Sequence, residues 1–437
     1  MKNSDCLICE NLSIKDGRLF FAGQDVASLA KEYKTPLYLM DGDRIRSRCR
    51  TYIDAASGAF CGGFRIMYAG KAAAFKGIYK ILKEEDMYID VVSCGEMLTA
   101  KAAGFPLEKA YFHSCNKTDD DIRFGIESGV GYFVVDNEEE LFVVDEIAQS
   151  LGRVQNILLR LTPGIDPHTF AAVATGVIDS KFGFGISTGM AEDVLRKALA
   201  LKGVDLCGFH CHLGSQIFDR QVFIDGAEIM LEFAALAKNK YGFETQQLDI
   251  GGGIGVRYLA SQSAPDISDY VSSLGAFVSE KCAELGIKVP VIGLEPGRSI
   301  AADAGMTIYT AGSVKKIPGY SVYVSVDGGM TDNVRYAMYE APYTLVCPEK
   351  MDEEFSMKCS VVGRCCESGD IIQPDVMLPE SIKRGDLIAV FTTGAYNYSM
   401  ASNYNRIPRP ALVMLEGGKS YVAVKRETYE DLLKLDI

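Results

Sequence analysis

No stretch of this chain approaches the roughly 20 consecutive apolar residues that a membrane-spanning helix needs. Its start, Met1-Lys2-Asn3-Ser4-Asp5, also lacks the apolar core of a secretory signal. A cytoplasmic location is therefore expected. Positive charge is scarce: 45 Lys and Arg stand against 58 Asp and Glu, for a formal charge of −13. That balance argues against a nucleic-acid surface, which needs a basic patch, and against an anionic membrane, leaving small molecules and a second copy of the chain as partners. The 13 cysteines are odd in number and follow no repeating frame, which favours a reduced setting over a disulfide scaffold. Cys6 and Cys9 form a C-x-x-C with no second pair at ligand spacing, so no metal site is expected. Low-complexity tracts are absent. Histidine is rare, with 4 in 437 residues, so where each one stands carries weight.

A chain of this length exceeds what one hydrophobic core usually supports, and two domains are expected. Between Arg65 and Arg298 one pattern recurs eight times: a short β-branched and aromatic run ends in polar or glycine residues and gives way to a helix-period stretch. The runs begin near Arg65, Tyr88, Ala110, Tyr132, Ile157, Leu206, Gln247 and Val289. Each is too uniformly apolar for a half-exposed strand and suits one buried on both faces. Eight such units in series predict an α/β fold, a TIM-type (β/α)8 barrel. After Ala304 the texture changes to short strand-like runs such as Ser321–Val326 and Leu387–Phe391, which predict a second, mainly β domain. The expected division is an N-terminal segment over 1–34 that joins the β domain, a barrel over 35–300, and the C-terminal β domain over 301–437.

Barrel enzymes place their chemistry at the C-terminal ends of the strands. Here those ends carry Lys71, Ser93-Cys94-Gly95-Glu96, His113-Ser114-Cys115-Asn116-Lys117, Asp136-Asn137, Arg160, His210-Cys211-His212, Gly251-Gly252-Gly253 and Glu295-Pro296-Gly297-Arg298. Three of the four histidines are among them. The fourth, His168, lies in a longer segment from Ile165 to Phe184, read as an excursion over the active face. A lysine taken alone more often opens a solvated helix. Lys71 gains weight from its company. Gly251 to Gly255 would let backbone N–H groups approach a phosphate without side chains intervening, and Ser215 and Arg298 stand at neighbouring strand ends. A lysine, a phosphate cradle and a carboxylate on one barrel face suggest pyridoxal phosphate, whose aldehyde bonds to a lysine amine and whose ring nitrogen needs an acidic partner, here Glu295. His212 could stack flat on the ring.

Tyr68-Ala69-Gly70-Lys71, His212-Leu213-Gly214-Ser215-Gln216, Gly251 to Gly255, Glu295-Pro296-Gly297-Arg298, Cys366-Glu367-Ser368-Gly369-Asp370 and Gly394-Ala395-Tyr396 occur in that order. Together, from about Thr35 to Pro410, they resemble the diaminopimelate decarboxylase family of fold-type III pyridoxal-phosphate enzymes. Several of the motifs are shared with ornithine and arginine decarboxylases. The resemblance implies that Lys71 holds the cofactor, that His212 stacks on it, and that Glu295 pairs with its ring nitrogen. Ser215, Gly251, Gly252, Gly253, Gly297, Arg298 and Tyr396 would surround the phosphate or the nearby substrate. It implies a homodimer with shared active sites, in which Cys366 and Glu367 arrive from the other chain and Cys366 gives a proton to Cα. The substrate's distal carboxylate and ammonium call for arginines plus an acid. The resemblance supplies Arg298, Arg335 and Glu367, with Tyr339 and Tyr396 alongside. Ala73, Cys115 and Tyr336 depart from the family's usual asparagine, asparagine and proline, which bears on fine positioning of substrate. The activity implied is a carboxy-lyase reaction, the last step of lysine biosynthesis. Three alternatives stay open: a decarboxylase of ornithine, lysine, arginine or carboxynorspermidine, an amino-acid racemase, and an inactive regulatory homologue.

Overall fold

All eight expected runs form strands in the structure, a computed structural model that describes residues 6–165, 176–177 and 179–437. The first to eighth barrel strands are Phe64–Ala69, Tyr88–Val91, Ala110–Phe112, Tyr132–Val135, Gln155–Thr162, Val204–His210, Gln247–Asp249 and Val291–Leu294. Each pairs in parallel with the next, and the eighth pairs with the first through Ile292 and Phe64, so the sheet closes. Phe184–Gly185 adds a short parallel piece to the end of the fifth strand. His168 lies outside the described residues.

The helices between the strands start where a polar residue closes the strand end. Ser93 caps Cys94–Ala102, Thr118 and Asp121 form a capping box on Asp119–Ser128, and Asn137 caps Glu138–Ser150. Each such cap is worth about 1 kcal/mol by satisfying an otherwise orphaned N–H. Lys76–Glu84 turns Ile78, Tyr79, Ile81 and Leu82 inward at helical spacing. Among the described residues no helix is long and apolar enough to cross a membrane.

Side chains two positions apart on a strand face the same way, and this period organises the barrel interior. Near the N-terminal ends of the strands, Met67, Tyr111, Val134, Leu158 and Cys207 pack into one buried cluster. Beside them the Tyr111 hydroxyl and the Arg65 guanidinium both donate to Gln247 Oε1. One step of two residues further along lie Asp90 after Tyr88, His113 after Tyr111, Asp136 after Val134, Arg160 after Leu158, Asp249 after Gln247 and Glu295 after Gly293, all buried. The strands that fill the barrel below therefore deliver ionisable groups at its C-terminal end.

Arg46–Gly255 and Pro265–Ser299 make one compact unit. The described residues up to Ile45, Val256–Ala264 and Ile300–Ile437 make a second. In the second unit the long strand Gly305–Lys316 pairs antiparallel with Val322–Val326, Leu387–Phe391 and Leu37–Asp41. Leu37–Asp41 pairs on its other side in parallel with Ala411–Glu416. Leu19, Phe21, Val26, Leu39, Ile308, Phe391 and Val413 are buried together in its core. Leu37–Asp41 falls inside the stretch 35–300 that sequence alone assigns to the barrel. It is flanked on both edges and buried at every position, so its uniformly apolar texture is that of a barrel strand and does not distinguish the two sheets.

Candidate active site

Lys71 follows the first strand in a single tight turn, Gly70–Ala72, and its side chain stays 43% exposed. Its Nζ lies 4.0 Å from Asp90 Oδ2 on the second strand. From there a chain of ionisable groups crosses the barrel. His113 Nε2, at the end of the third strand, is 3.9 Å from Asp90 Oδ1 and 2.9 Å from Glu295 Oε1. His210 Nε2, on the sixth strand, is 3.4 Å from Glu295 Oε2. Arg160, on the fifth, sits 3.4 Å from Asp136 Oδ1.

Burial pushes up the proton affinity of each carboxyl here, and neighbours decide the outcome. Asp90 stays above its usual range because burial outweighs the attraction of His113 and Lys71. Asp249 stays well above, through burial and then the charge of Glu295. Glu295 also suffers burial, yet His113 and His210 overcome it and hold the carboxyl well below its usual range. Burial lowers His210 to about 4 and takes His212 well below its usual value, helped by the nearby Lys71 charge. The site thus presents an amine, a carboxyl favoured as its anion and two imidazoles favoured as neutral.

The Gly251 to Gly253 run leaves the seventh strand with φ of +73° at Gly251 and +122° at Gly253. A Cβ on Gly252 would stand 2.0 Å from the Glu295 carbonyl oxygen, and one on Gly253 2.3 Å from that of Gly214. Only glycine fits. The Gly252 N–H donates to His212 Nδ1 at 3.2 Å, which fixes the ring against the loop. Arg298 Nη2 donates to Ser215 Oγ at 2.9 Å. Gly297 lets its turn pack where a Cβ would be 2.9 Å from that of Ala69, two residues before Lys71. The sequence-predicted barrel residues Lys71, His212, Ser215, Gly251, Gly252, Gly253, Glu295, Gly297 and Arg298 therefore all stand at strand ends of one unit.

Arg335, Tyr339, Cys366, Glu367 and Tyr396 belong to the second unit. Arg335 is buried, its guanidinium 3.7 Å from the ring centre of Tyr258 and 5.2 Å from that of Tyr343. Among the described residues its Nη1 has no hydrogen-bond partner. Tyr339 lies four residues on, on the same short helix. Tyr396 holds φ of +61°, a conformation that disfavours a bulky residue. Next to it Asn397 donates to the Thr393 carbonyl and to Tyr343 Oη. Cys366 and Glu367 are exposed on a loop where the Cys366 N–H donates to Asn405 Oδ1 at 2.8 Å.

Sequence reasoning assigned no role to Asp90, Asp249 or Asp370, and placed His113 and His210 at strand ends without one. The signal for the first two was the period of two along their strands. Other strand-end polar residues serve structure: Ser93 and Asn137 cap helices, and buried Lys117 pairs with Glu140 at 2.7 Å.

The groups present fit pyridoxal phosphate. An exposed lysine amine stands at a strand end, an ionised carboxylate suits a protonated ring nitrogen, and a neutral imidazole offers a flat face. A glycine run with no side chains beside Ser215 and Arg298 suits a phosphate. Residues 43–302 match the model of the pyridoxal-dependent decarboxylase, pyridoxal binding domain. The diaminopimelate decarboxylase of Bacillus subtilis (strain 168) is 43% identical over 421 residues, 96% of this chain and 95% of that protein. A crystal structure of diaminopimelate decarboxylase from M. jannaschii superposes with a TM-score of 0.92 at 33% identity, covering 99% of this chain and 98% of that one. The same enzyme in co-complex with L-lysine gives 0.91 at 34% identity over 98% of each chain.

Proposed function

The chain belongs to the pyridoxal-dependent decarboxylases, and from that premise we propose that its residues divide the decarboxylation of meso-diaminopimelate to L-lysine and carbon dioxide as follows. When bound, pyridoxal phosphate supplies an aldehyde that carries the substrate amine and a ring that accepts the electron pair left by departing carbon dioxide. Lys71 would hold the cofactor through its amine. Glu295 keeps the ring nitrogen protonated, and His212 covers the ring face. Ser215, Gly251, Gly252, Gly253, Gly297, Arg298 and Tyr396 hold the phosphate and its surroundings. Arg298, Arg335, Tyr339, Tyr396 and Glu367 grip the distal end of the substrate, and that remote binding sets the orientation of the scissile bond. The chain works as a homodimer in which Cys366 and Glu367 of one copy serve the other, Cys366 returning a proton to Cα. A cytoplasmic setting is in keeping with 13 cysteines of which none is in a disulfide.

The observation that carries this reading is the Lys71 amine on the same barrel face as Glu295, the carboxylate held ionised between two imidazoles. The buried Arg335 with a spare Nη1 favours a substrate with a second carboxylate over the diamine-forming alternatives. A racemase would need a second acid–base group in place of Cys366 and Glu367. The test is carbon dioxide release with added pyridoxal phosphate from meso-diaminopimelate, L-lysine, L-ornithine and L-arginine, with Lys71→Ala as blank. Turnover confined to diaminopimelate supports the reading. Turnover of ornithine or lysine removes the role given to Arg335, and bound cofactor without turnover brings the racemase or regulatory reading forward.

A further inference from the structure

Three carboxyl groups are buried together at the C-terminal end of the barrel: Asp90 on the second strand, Asp249 on the seventh and Glu295 after the eighth, at 1%, 0% and 4% exposure. Three negative charges in one dry volume repel one another, so the carboxyl with the most favourable neighbours is the one favoured as an anion. The identity of the charged one is a matter of which carboxyl finds donors. His113 and His210 come from the third and sixth strands with their rings edge to face, centres 4.9 Å apart. They stand beside different oxygens of Glu295: His113 Nε2 lies 2.9 Å from Oε1 at ion-pair distance without hydrogen-bond alignment, and His210 Nε2 is hydrogen-bonded to Oε2 at 3.4 Å. Asp90 has longer contacts, 3.9 Å to His113 and 4.0 Å to the Lys71 amine. Asp249 accepts the Gly251 N–H on Oδ1 and otherwise faces Glu295.

We propose that His113 and His210 are positioning residues for the decarboxylase reaction: by clamping both oxygens of Glu295 they choose it, and not Asp90 or Asp249, as the ionised carboxylate and fix its plane. The proposal rests on Glu295 being the partner of the ring nitrogen. The titration directions agree with it, because burial raises all three acids and only Glu295 is brought back down, by these two histidines. His210, lowered to about 4 by burial, is neutral near pH 7 and acts as an N–H donor to the anion. The other charged or titratable groups around this volume include Lys71 on the first strand's end, Glu96 near Asp90, Asp136 and Arg160 paired to each other, Cys211 near Asp249 and Glu295, and His212.

The experiment is a pyridoxal phosphate titration of the full-length protein, followed by absorbance. It compares His113→Ala, His210→Ala and the corresponding Gln variants, each in the wild-type and the Glu295→Gln background. In the wild-type background each Ala should weaken cofactor binding and lower kcat about tenfold, with KM for substrate changed less than about threefold. Loss of the donors lets the Glu295 carboxyl rise, so the acid limb of the binding profile moves toward neutral pH. Gln, which restores an N–H donor, should recover most of the loss and keeps the test alive should an Ala variant misfold. In the Glu295→Gln background the same substitutions should change affinity less than about twofold, because no anion remains to be held. Equal losses in both backgrounds, or none in either, would overturn the proposal. So would zinc taken up stoichiometrically by the holoenzyme and lost in His113→Gln, since the three groups lie close enough to ligate a cation. If Glu295→Gln alone leaves affinity and pH profile unchanged, the ring-nitrogen assignment itself fails, an outcome distinct from failure of the clamp.

Discussion

Replacing Asp370 should disable the enzyme without touching any group that performs chemistry. Its side chain is 3% exposed. Oδ1 accepts the Met330 N–H and Oδ2 the Cys365 N–H, each at 2.6 Å, so one carboxylate joins the Gly328-Gly329-Met330 turn to the loop carrying Cys366 and Glu367. The fit is close on both sides. A Cβ on Gly363 would stand 2.3 Å from a carboxylate oxygen, and one on Gly329 2.7 Å. Hydrogen bonds to a charged acceptor are worth roughly 1.5–3 kcal/mol each, which puts the loss in Asp370→Ala at about 3–6 kcal/mol for the pair. The loop is largely exposed, so water replaces part of this, and about 3 kcal/mol of local stability is the expected cost. Asp370→Asn turns one acceptor into a donor facing an N–H and should cost about 2 kcal/mol. On the role proposed for Cys366 as proton donor, which requires close positioning, kcat in the Ala variant should fall by about a hundredfold. Steady-state carbon dioxide release, with hydrogen exchange of the amides over 329–331 and 363–369, measures both effects. Turnover within about twofold of wild type with unchanged protection would show that the loop is held by something else.

Glu96, pushed up to about 7 by burial, binds its proton more tightly folded than unfolded, so stability is lost as pH rises from about 4.5 through 7. At 1.36 kcal/mol per pKa unit the cost approaches about 3 kcal/mol above that window. Glu96→Gln keeps an acceptor for the Val92 N–H and should flatten the slope between urea unfolding at pH 5 and pH 8; equal slopes refute the assignment. Mixing Lys71→Ala with Cys366→Ala subunits should restore up to about a quarter of wild-type turnover through hybrid dimers with one intact site. No recovery after confirmed subunit exchange would place both residues in a site built by one chain. On the substrate role proposed for Arg335, Arg335→Ala should raise KM for diaminopimelate at least about tenfold, with no comparable loss of cofactor affinity. An unchanged KM would take Arg335 out of the substrate site.

The barrel was legible because a parallel strand covered on both faces is written as an uninterrupted apolar run with a polar end, and all eight such runs are strands. Texture alone does not say which sheet a run joins, and Leu37–Asp41, equally apolar, pairs in the β unit. The residues named at strand ends were those visible as clusters after the strand: Lys71, His212, the glycines, Glu295 and Arg298. Asp90 and Asp249 escaped because they lie within the apolar runs, where a single acid reads as an interruption. Only the side-chain period of two, carried on from Tyr88 and Gln247, points them inward. Ser93 and Asn137 were visible as strand-end residues but are spent on helix caps. Asp370 was quoted within a motif, yet its contacts with Met330 and Cys365 depend on how two loops meet, which no local pattern encodes.

The neighbouring carboxyls Asp249 and Glu295 give the sharpest contrast in the molecule. Both are buried, and they interact through a shared hydrogen bond. Burial and the Glu295 charge hold Asp249 well above its usual range, whereas the two imidazoles hold Glu295 well below its own. An amide is nearly isosteric with a protonated carboxyl and not at all equivalent to an anion. Asp249→Asn retains an acceptor for the Gly251 N–H, which Oδ1 now takes at 2.8 Å, and a donor for Glu295. Its turnover should stay within about threefold of wild type at neutral pH, and its stability should change by less than about 1 kcal/mol. Asp249→Ala strips that N–H of its acceptor at a position where water does not reach, and should cost about 1–3 kcal/mol. Glu295→Gln removes the charge itself and, on the proposed pairing with the ring nitrogen, should lower kcat by orders of magnitude. If Asp249→Asn proves as damaging to turnover as Glu295→Gln, Asp249 carries charge in the folded enzyme. The distribution of protons across the three buried acids would then differ from the one the two histidines impose.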